Sequence, residues 1–156
     1  MIIKKLTLYN YRAFSGINTF DFESNKNKPL NIFEAKNGHG KTTFYRAIHW
    51  CLFGDESNIG GESTGTQIIN KSAVRSSQLF SHSTYFVEIE IEDSNKKLIT
   101  FKRVEGVQKY KENPSRSKFL KDKKEFIVKY FDHEKGGHQE IDDEYVYKRE
   151  VEKILP

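Results

Sequence analysis

Apolar and polar residues alternate along Ile2–Tyr9, where Leu6 and Leu8 share one side, and along Thr19–Phe22, where Phe20 and Phe22 do. Alternation puts successive side chains on opposite faces of a strand, so both stretches predict strands. Leu30–Phe33 is a short continuous apolar run between Pro29 and a glycine-rich turn, the pattern of a buried strand in a parallel environment. The period then changes. Phe44, Ala47, Ile48, Cys51 and Leu52 fall at i, i+3, i+4, i+7 and i+8, one apolar stripe of a helix, and Gly54 is placed to end it. Tyr45 and Trp50 lie off that stripe and are expected to pack against a neighbouring lobe.

Beyond the helix, Asp55–Ser83 is polar and rich in Gly, Ser and Thr. It predicts a long loop with one short element at Thr66–Val74. Val87, Ile89 and Ile91 then alternate with Glu88, Glu90 and Glu92, a half-exposed strand over Phe86–Glu92. Asp93–Lys96 is a turn, and Lys97–Val104 returns as the second arm of an antiparallel hairpin. Gly106–Lys124 reads as a basic loop, and Phe126–Phe131 as an edge strand with a surface aspartate, Asp132. After Gly136-Gly137, Asp142 or Asp143 is placed to cap a last helix ending near Leu155.

Composition changes this picture in one respect. The chain has 156 residues, one domain's worth, but only 36% are apolar and 31% are charged. So thin a core predicts a domain that leans on another. No apolar run approaches a bilayer span, the N-terminus lacks the apolar core of a signal peptide, and Cys51 is the single cysteine. The chain therefore reads as cytoplasmic. Net charge is +4 with a pI near 9.0. Between Lys109 and Lys124 stand seven basic residues, Lys109, Lys111, Arg116, Lys118, Lys121, Lys123 and Lys124, against Glu112 and Asp122. Such a run is either a solvated loop or a phosphate-facing patch that attracts DNA. The histidines His49, His82, His133 and His138 have no neighbours at zinc-ligand spacing.

The stretch that carries chemistry is Leu30–Thr43: a predicted strand, a turn reading Asn37-Gly38-His39-Gly40-Lys41-Thr42-Thr43, then the amphipathic helix. Strand, glycine-rich turn and helix are what a phosphate-binding loop requires. Glycines let backbone N–H groups face a polyphosphate, and the helix start adds free N–H groups and a positive dipole end. Lys41 is the mobile charge for the phosphates of ATP, and the Thr42 hydroxyl is placed for Mg²⁺. The usual first glycine is Ala35, so the loop is expected to enter with negative φ.

Further residues carry a resemblance. Ile3–Phe14, with Asn10-Tyr11-Arg12-Ala13-Phe14, resembles the opening strand of SMC-like ATPases of the SbcC, RecF/RecN and DndD types. The loop Asn37–Thr43 and the helix segment Ala47–Gly54 are similar to theirs. Ile69–Ala73 and Val151–Pro156 resemble the DndD branch. The resemblance implies an α/β P-loop NTPase fold, the N-terminal half of an ABC-type head, with a mixed sheet and an antiparallel hairpin around the strand–loop–helix unit. Residues 1–156 would form one lobe. It implies that Asn37, Gly38, His39, Gly40, Lys41, Thr42 and Thr43 wrap the phosphates, that Arg12 approaches them, and that Asn70 and Lys71 edge the nucleotide. Its partners would be a C-terminal lobe, a second head, DNA and an effector such as a nuclease. The family's work is ATP-gated DNA handling in repair or anti-phage defence.

Other parts of that family's machinery have no counterpart here. The Walker B acids, the Ser-Gly-Gly signature, the switch histidine and coiled-coil heptads are not found, and Gly60-Gly61 lacks the preceding serine. The chain therefore reads as a half-head, part of a longer or a split protein, with weak ATPase activity alone. Two alternatives remain at this level. One is an ATP-binding switch without hydrolysis. The other is a self-contained small P-loop kinase, for which Asp132 is the best acid and mid-strand Lys129 the objection.

Overall fold

The computed structural model describes residues 1–22, 31–54, 68–75, 77–111, 118–132 and 136–155. Along the chain run β1 (Ile2–Tyr9), β2 (Ile17–Asp21), α1 (Lys41–Phe53), α2 (Lys71–Arg75), β3 (His82–Glu92), β4 (Leu98–Lys111), β5 (Lys118–Asp132), β6 (Gly137–Asp142) and α3 (Glu144–Ile154). The strands form one sheet in the order β2-β1-β3-β4-β5-β6, and every pairing among them is antiparallel.

Alternation decides the two faces. On β3, Tyr85, Val87, Ile89 and Ile91 are buried while Glu88, Glu90 and Glu92 lie between them on the other side. Leu6 and Leu8 of β1, Phe101 of β4 and Val128 of β5 complete the buried face. Helix α1 packs on this face over β3 and β4, α3 packs over β5, and the two helices touch. The opposite face carries cross-strand ion pairs, Lys102–Glu88 at 3.7 Å and Lys129–Glu140 at 2.9 Å. Partly exposed pairs of this kind add little stability each; they keep an uncovered face polar. Asp143 caps α3 by accepting the Val146 N–H at 2.8 Å, as the sequence predicts. The Asp93 turn and its hairpin are also as expected, closed by Asp93 N–H to Lys97 O at 3.0 Å.

Five expectations are corrected. The sheet is antiparallel, not mixed. Residues 31–33 form no strand, and Ile32 is 82% exposed; Leu30 lies outside the described residues. An apolar run forms a buried strand only if strand partners and covering layers meet it, and among the described residues 31–33 pair with no strand. Much of the basic Gly106–Lys124 stretch is strand, since β4 runs to Lys111 and β5 starts at Lys118. Consequently β5 is an inner strand between β4 and β6, not an edge. Lys129 is tolerated within it because it points to the polar face, where it meets Glu140. Finally, Trp50 is buried in the chain's own core between Tyr11 and Tyr85, each ring 5.5 Å away, whereas Tyr45 is exposed. Of the expected long loop, Gly60-Gly61 and the rest of 55–67 lie outside the described residues, and the short element is α2. Among the described residues, no helix is long and apolar enough to cross a membrane.

Candidate functional site

The glycine-rich turn leads directly into α1. Lys36–His39 closes as a turn through His39 N–H to Lys36 O at 3.2 Å, and the His39 ring nitrogen Nδ1 sits 3.1 Å from Asn37 O. Gly40 then takes φ +95°, and its carbonyl accepts the first helical bond from Phe44 N–H at 2.8 Å. A side chain at Gly40 would meet the Phe14 ring at 3.0 Å, besides occupying a left-handed conformation. Ala35 keeps a negative φ, as the sequence requires.

No side chain caps the start of α1, and its first turn contains no acid. The N–H groups there are left for solvent or a ligand, with the positive end of the helix dipole behind them. Lys41 curls back over the turn. Its Nζ donates to Ala35 O at 2.8 Å and to Asn37 Oδ1 at 3.3 Å. An exposed ammonium held by a carbonyl and an amide oxygen is a charge that an anion can readily claim. Thr42 is exposed and Thr43 half-buried beside it. Among the described residues, no group of three or more His, Cys, Asp or Glu side chains could hold a metal ion.

Aromatic packing fixes the ends of this loop where a strand was expected. Phe33, before the turn, stacks on Phe44 of α1 at 4.5 Å and 16°. Phe20 of β2 sets its edge against Phe14, Phe33 and Phe44 at 5.8, 5.8 and 5.2 Å. Edge-to-face and stacked pairs contribute about 0.5–1.5 kcal/mol each beyond area burial. The cluster thus ties the loop's entry and exit to β2. The four phenylalanines are visible in the sequence, but only the fold shows that they meet.

The far end of α1 is held by residues that sequence reasoning missed. Arg103 of β4 donates from Nε to Cys51 O at 3.1 Å, and the Tyr147 hydroxyl of α3 donates to the same carbonyl at 2.6 Å. The Arg103 guanidinium also lies 4.7 Å from the Phe126 ring centre and 5.5 Å from that of Tyr147. The last turn of α1 has no basic residue of its own, so Arg103 supplies the positive charge that a helix C-terminus favours. The Cys51 thiol, between Val87 O and the Tyr147 hydroxyl, is pushed up to about 11 by burial. Burial likewise raises Tyr147 well above the ordinary tyrosine value.

The remaining sequence candidates divide. Tyr11 and Ile69 form an isolated antiparallel bridge, which brings Arg12 and Asn70 together. Asn70 Nδ2 donates to Arg12 O at 2.7 Å, and Asn70 Oδ1 accepts the Ser72 N–H at 2.9 Å at the start of α2. The buried Asn70 amide is thus committed to the backbone, while Lys71 is exposed. In the basic run, Lys109 is not phosphate-facing: it is buried, and its Nζ donates to Ser77 O at 3.0 Å. Lys111 pairs in register with Lys118, Lys121 with Val107, Lys123 with Gly106 and Lys124 with Glu105. Arg116 lies outside the described residues.

Compared with known families, residues 5–155 match a family model described as an AAA domain. No curated protein matches the chain.

Proposed function

The chain belongs to the AAA domain family, and on that premise we propose that it binds Mg-ATP at the Ala35–Thr43 turn as one lobe of an SMC-like ATPase head. The observation that carries the reading is the start of α1: an uncapped, acid-free helix N-terminus behind Gly40, with Lys41 held across the turn by two oxygen atoms. A triphosphate would take the Lys41 ammonium from Ala35 O and Asn37 Oδ1, and the N–H groups of Gly38 to Thr43 would meet its oxygens. Thr42 would hold Mg²⁺ together with the nucleotide's own phosphates, and the metal would neutralise phosphate charge when bound. His39 contributes its backbone, and Arg12 approaches from the neighbouring loop.

The lobe reading draws support from what the fold leaves uncovered. Ile32, Phe33, Tyr45 and Phe53 are exposed along the segment before the turn and on α1. A C-terminal lobe, in the same chain or another, would cover them and give residues 31–33 strand partners. Two such heads would close on ATP and open on hydrolysis, gating DNA and an effector such as a nuclease in repair or anti-phage defence. Among the basic-run candidates for DNA, Lys124 is exposed. Lys41→Ala should weaken Mg-ATP binding by roughly a hundredfold, the worth of about two charge-assisted hydrogen bonds. Calorimetric titration of the folded variant checks this, and wild-type affinity in that variant would sink the assignment.

A further inference from the structure

Arg12 has a backbone geometry that must be held. The 11–14 turn is closed by Phe14 N–H to Tyr11 O at 2.9 Å, and Arg12, its second residue, has φ +48°. Glycine is favoured at a left-handed second position of a turn, and an arginine there relaxes unless neighbouring groups fix it.

One short segment fixes both peptide groups that flank the Arg12 Cα. On the N-terminal side, Arg12 N–H donates to Ile68 O at 2.6 Å. On the C-terminal side, Arg12 O accepts from Asn70 Nδ2 at 2.7 Å. With both peptide planes pinned, the direction of the Arg12 Cα–Cβ bond is set before any ligand arrives. The first hold is a backbone bond, which any residue at position 68 supplies. The second depends on the side chain of Asn70, 58 positions away.

That side chain meets two demands at once. Its oxygen accepts Ser72 N–H at 2.9 Å and Ala73 N–H at 3.3 Å at the start of α2, while its nitrogen serves Arg12 O. A primary amide carries an acceptor and a donor on one carbon; a hydroxyl has a single oxygen, and a carboxylate only accepts. Asn70 is 6% exposed, so water does not readily replace a lost donor. Its backbone N–H, donating to Asn10 O at 2.7 Å, holds the near side of the same turn.

The turn so held lies against α1. The Phe14 ring stands 3.0 Å from where a Cβ on Gly40 would be, and Tyr11 packs on Trp50 with ring centres 5.5 Å apart. Arg12 lies between these two anchors in sequence and is half-buried.

We infer that Asn70 is a positioning residue for the Mg-ATP site: its amide fixes the Arg12 turn beside the phosphate-binding turn, and it acts through Arg12 rather than by touching the nucleotide. The inference rests on the Mg-ATP reading above and gives Asn70 this indirect role in place of a direct contact at the nucleotide's edge.

The test is a double-mutant cycle read by calorimetric titration of the full chain with Mg-ATP. Asn70→Ser is the informative change, because a serine oxygen still caps α2 but is too short to donate to Arg12 O as well. Arg12→Ala should weaken binding roughly tenfold and Asn70→Ser about fivefold. In the Arg12→Ala background, Asn70→Ser should weaken it no further. A residue that only supports the fold, or that touches the nucleotide directly, lowers affinity by the same factor in both backgrounds, and that result overturns the inference. Wild-type affinity in Asn70→Ser overturns it too. If urea denaturation shows that Asn70→Ser does not fold, Asn70→Thr, which keeps a capping hydroxyl and more of the side-chain volume, carries the same cycle. Wild-type affinity in Arg12→Ala removes the inference and leaves the Lys41 assignment standing. If wild type itself does not bind Mg-ATP, the Mg-ATP reading falls and the inference falls with it.

Discussion

The two ends of α1 satisfy their backbone groups in opposite ways. At the start, Gly40 provides no side-chain cap, no acid stands in the first turn, and Lys41 leans on oxygens of the loop itself. At the finish, one carbonyl, Cys51 O, receives both Arg103 and Tyr147 from different elements, and Gly54 closes the helix through its N–H to Trp50 O at 2.9 Å. A helix whose two ends were both built for stability would carry caps at both. The difference teaches that the backbone groups of α1 are satisfied at its buried end, which leaves those at its start free to exchange partners with a ligand.

The largest effect should come from disturbing the buried end. Gly54 has φ +76°, and a Cβ there would lie 2.2 Å from an Arg103 guanidinium nitrogen. Gly54→Ala therefore combines left-handed strain with displacement of Arg103 from Cys51 O, a loss of about 2–4 kcal/mol. Urea denaturation measures it. If the two ends are separable, the folded fraction of that variant binds Mg-ATP as wild type does, in contrast to Lys41→Ala. Equal loss of affinity in both variants would break the comparison.

A smaller effect follows from pH. Burial raises the Cys51 thiol from 9.0 to about 11, so the folded state holds its proton where the unfolded chain releases it. Its contribution is fully present below pH 9.0 and is lost as pH rises towards about 11. The total is on the order of 2 kcal/mol, and Tyr147, shifted in the same direction, adds to the loss at the alkaline end. Denaturation curves across that range should show stability falling in wild type and falling less in Cys51→Ala. The exposed end should gain rather than lose. Thr43→Glu places an acid in the uncapped first turn and should stabilise the free protein by about 0.5 kcal/mol, while weakening Mg-ATP through repulsion of the phosphates. A stability gain without that weakening would place the anion site elsewhere.

Local pattern carried much of this in the sequence. The stripe from Phe44 to Leu52 with Gly54 behind it, the alternation in β1 and β3, the Asp93 turn and the Asp143 cap are short-range signals, and the structure shows each of them. What stayed illegible depends on partners distant along the chain. Arg103 lies 52 positions from Cys51, and Tyr147 lies 96 positions from it, so nothing near the helix announces its buried cap. Trp50 falls off the apolar stripe when one helix is counted alone, which predicts a contact with another lobe, whereas Tyr11 and Tyr85 reach around to enclose it. The basic run read as loop because Lys111 and Lys118 are polar whichever face they occupy, so alternation gives no sign of the strands. For the candidate site, the glycine–lysine–threonine turn was legible, and the phenylalanine cluster that anchors it was not.

The double hold on Cys51 O also bears on how the chain is made. Synthesis delivers α1 long before it delivers Tyr147, 96 residues later. While the chain is still growing, the carbonyl end of α1 lacks one of its two donors, and until β4 emerges it lacks both. The turn that would grip a phosphate is therefore finished early in sequence but late in structure, a non-local dependence of the kind that slows folding. A nascent chain stalled before α3 would present the whole turn on a helix still loose at its far end.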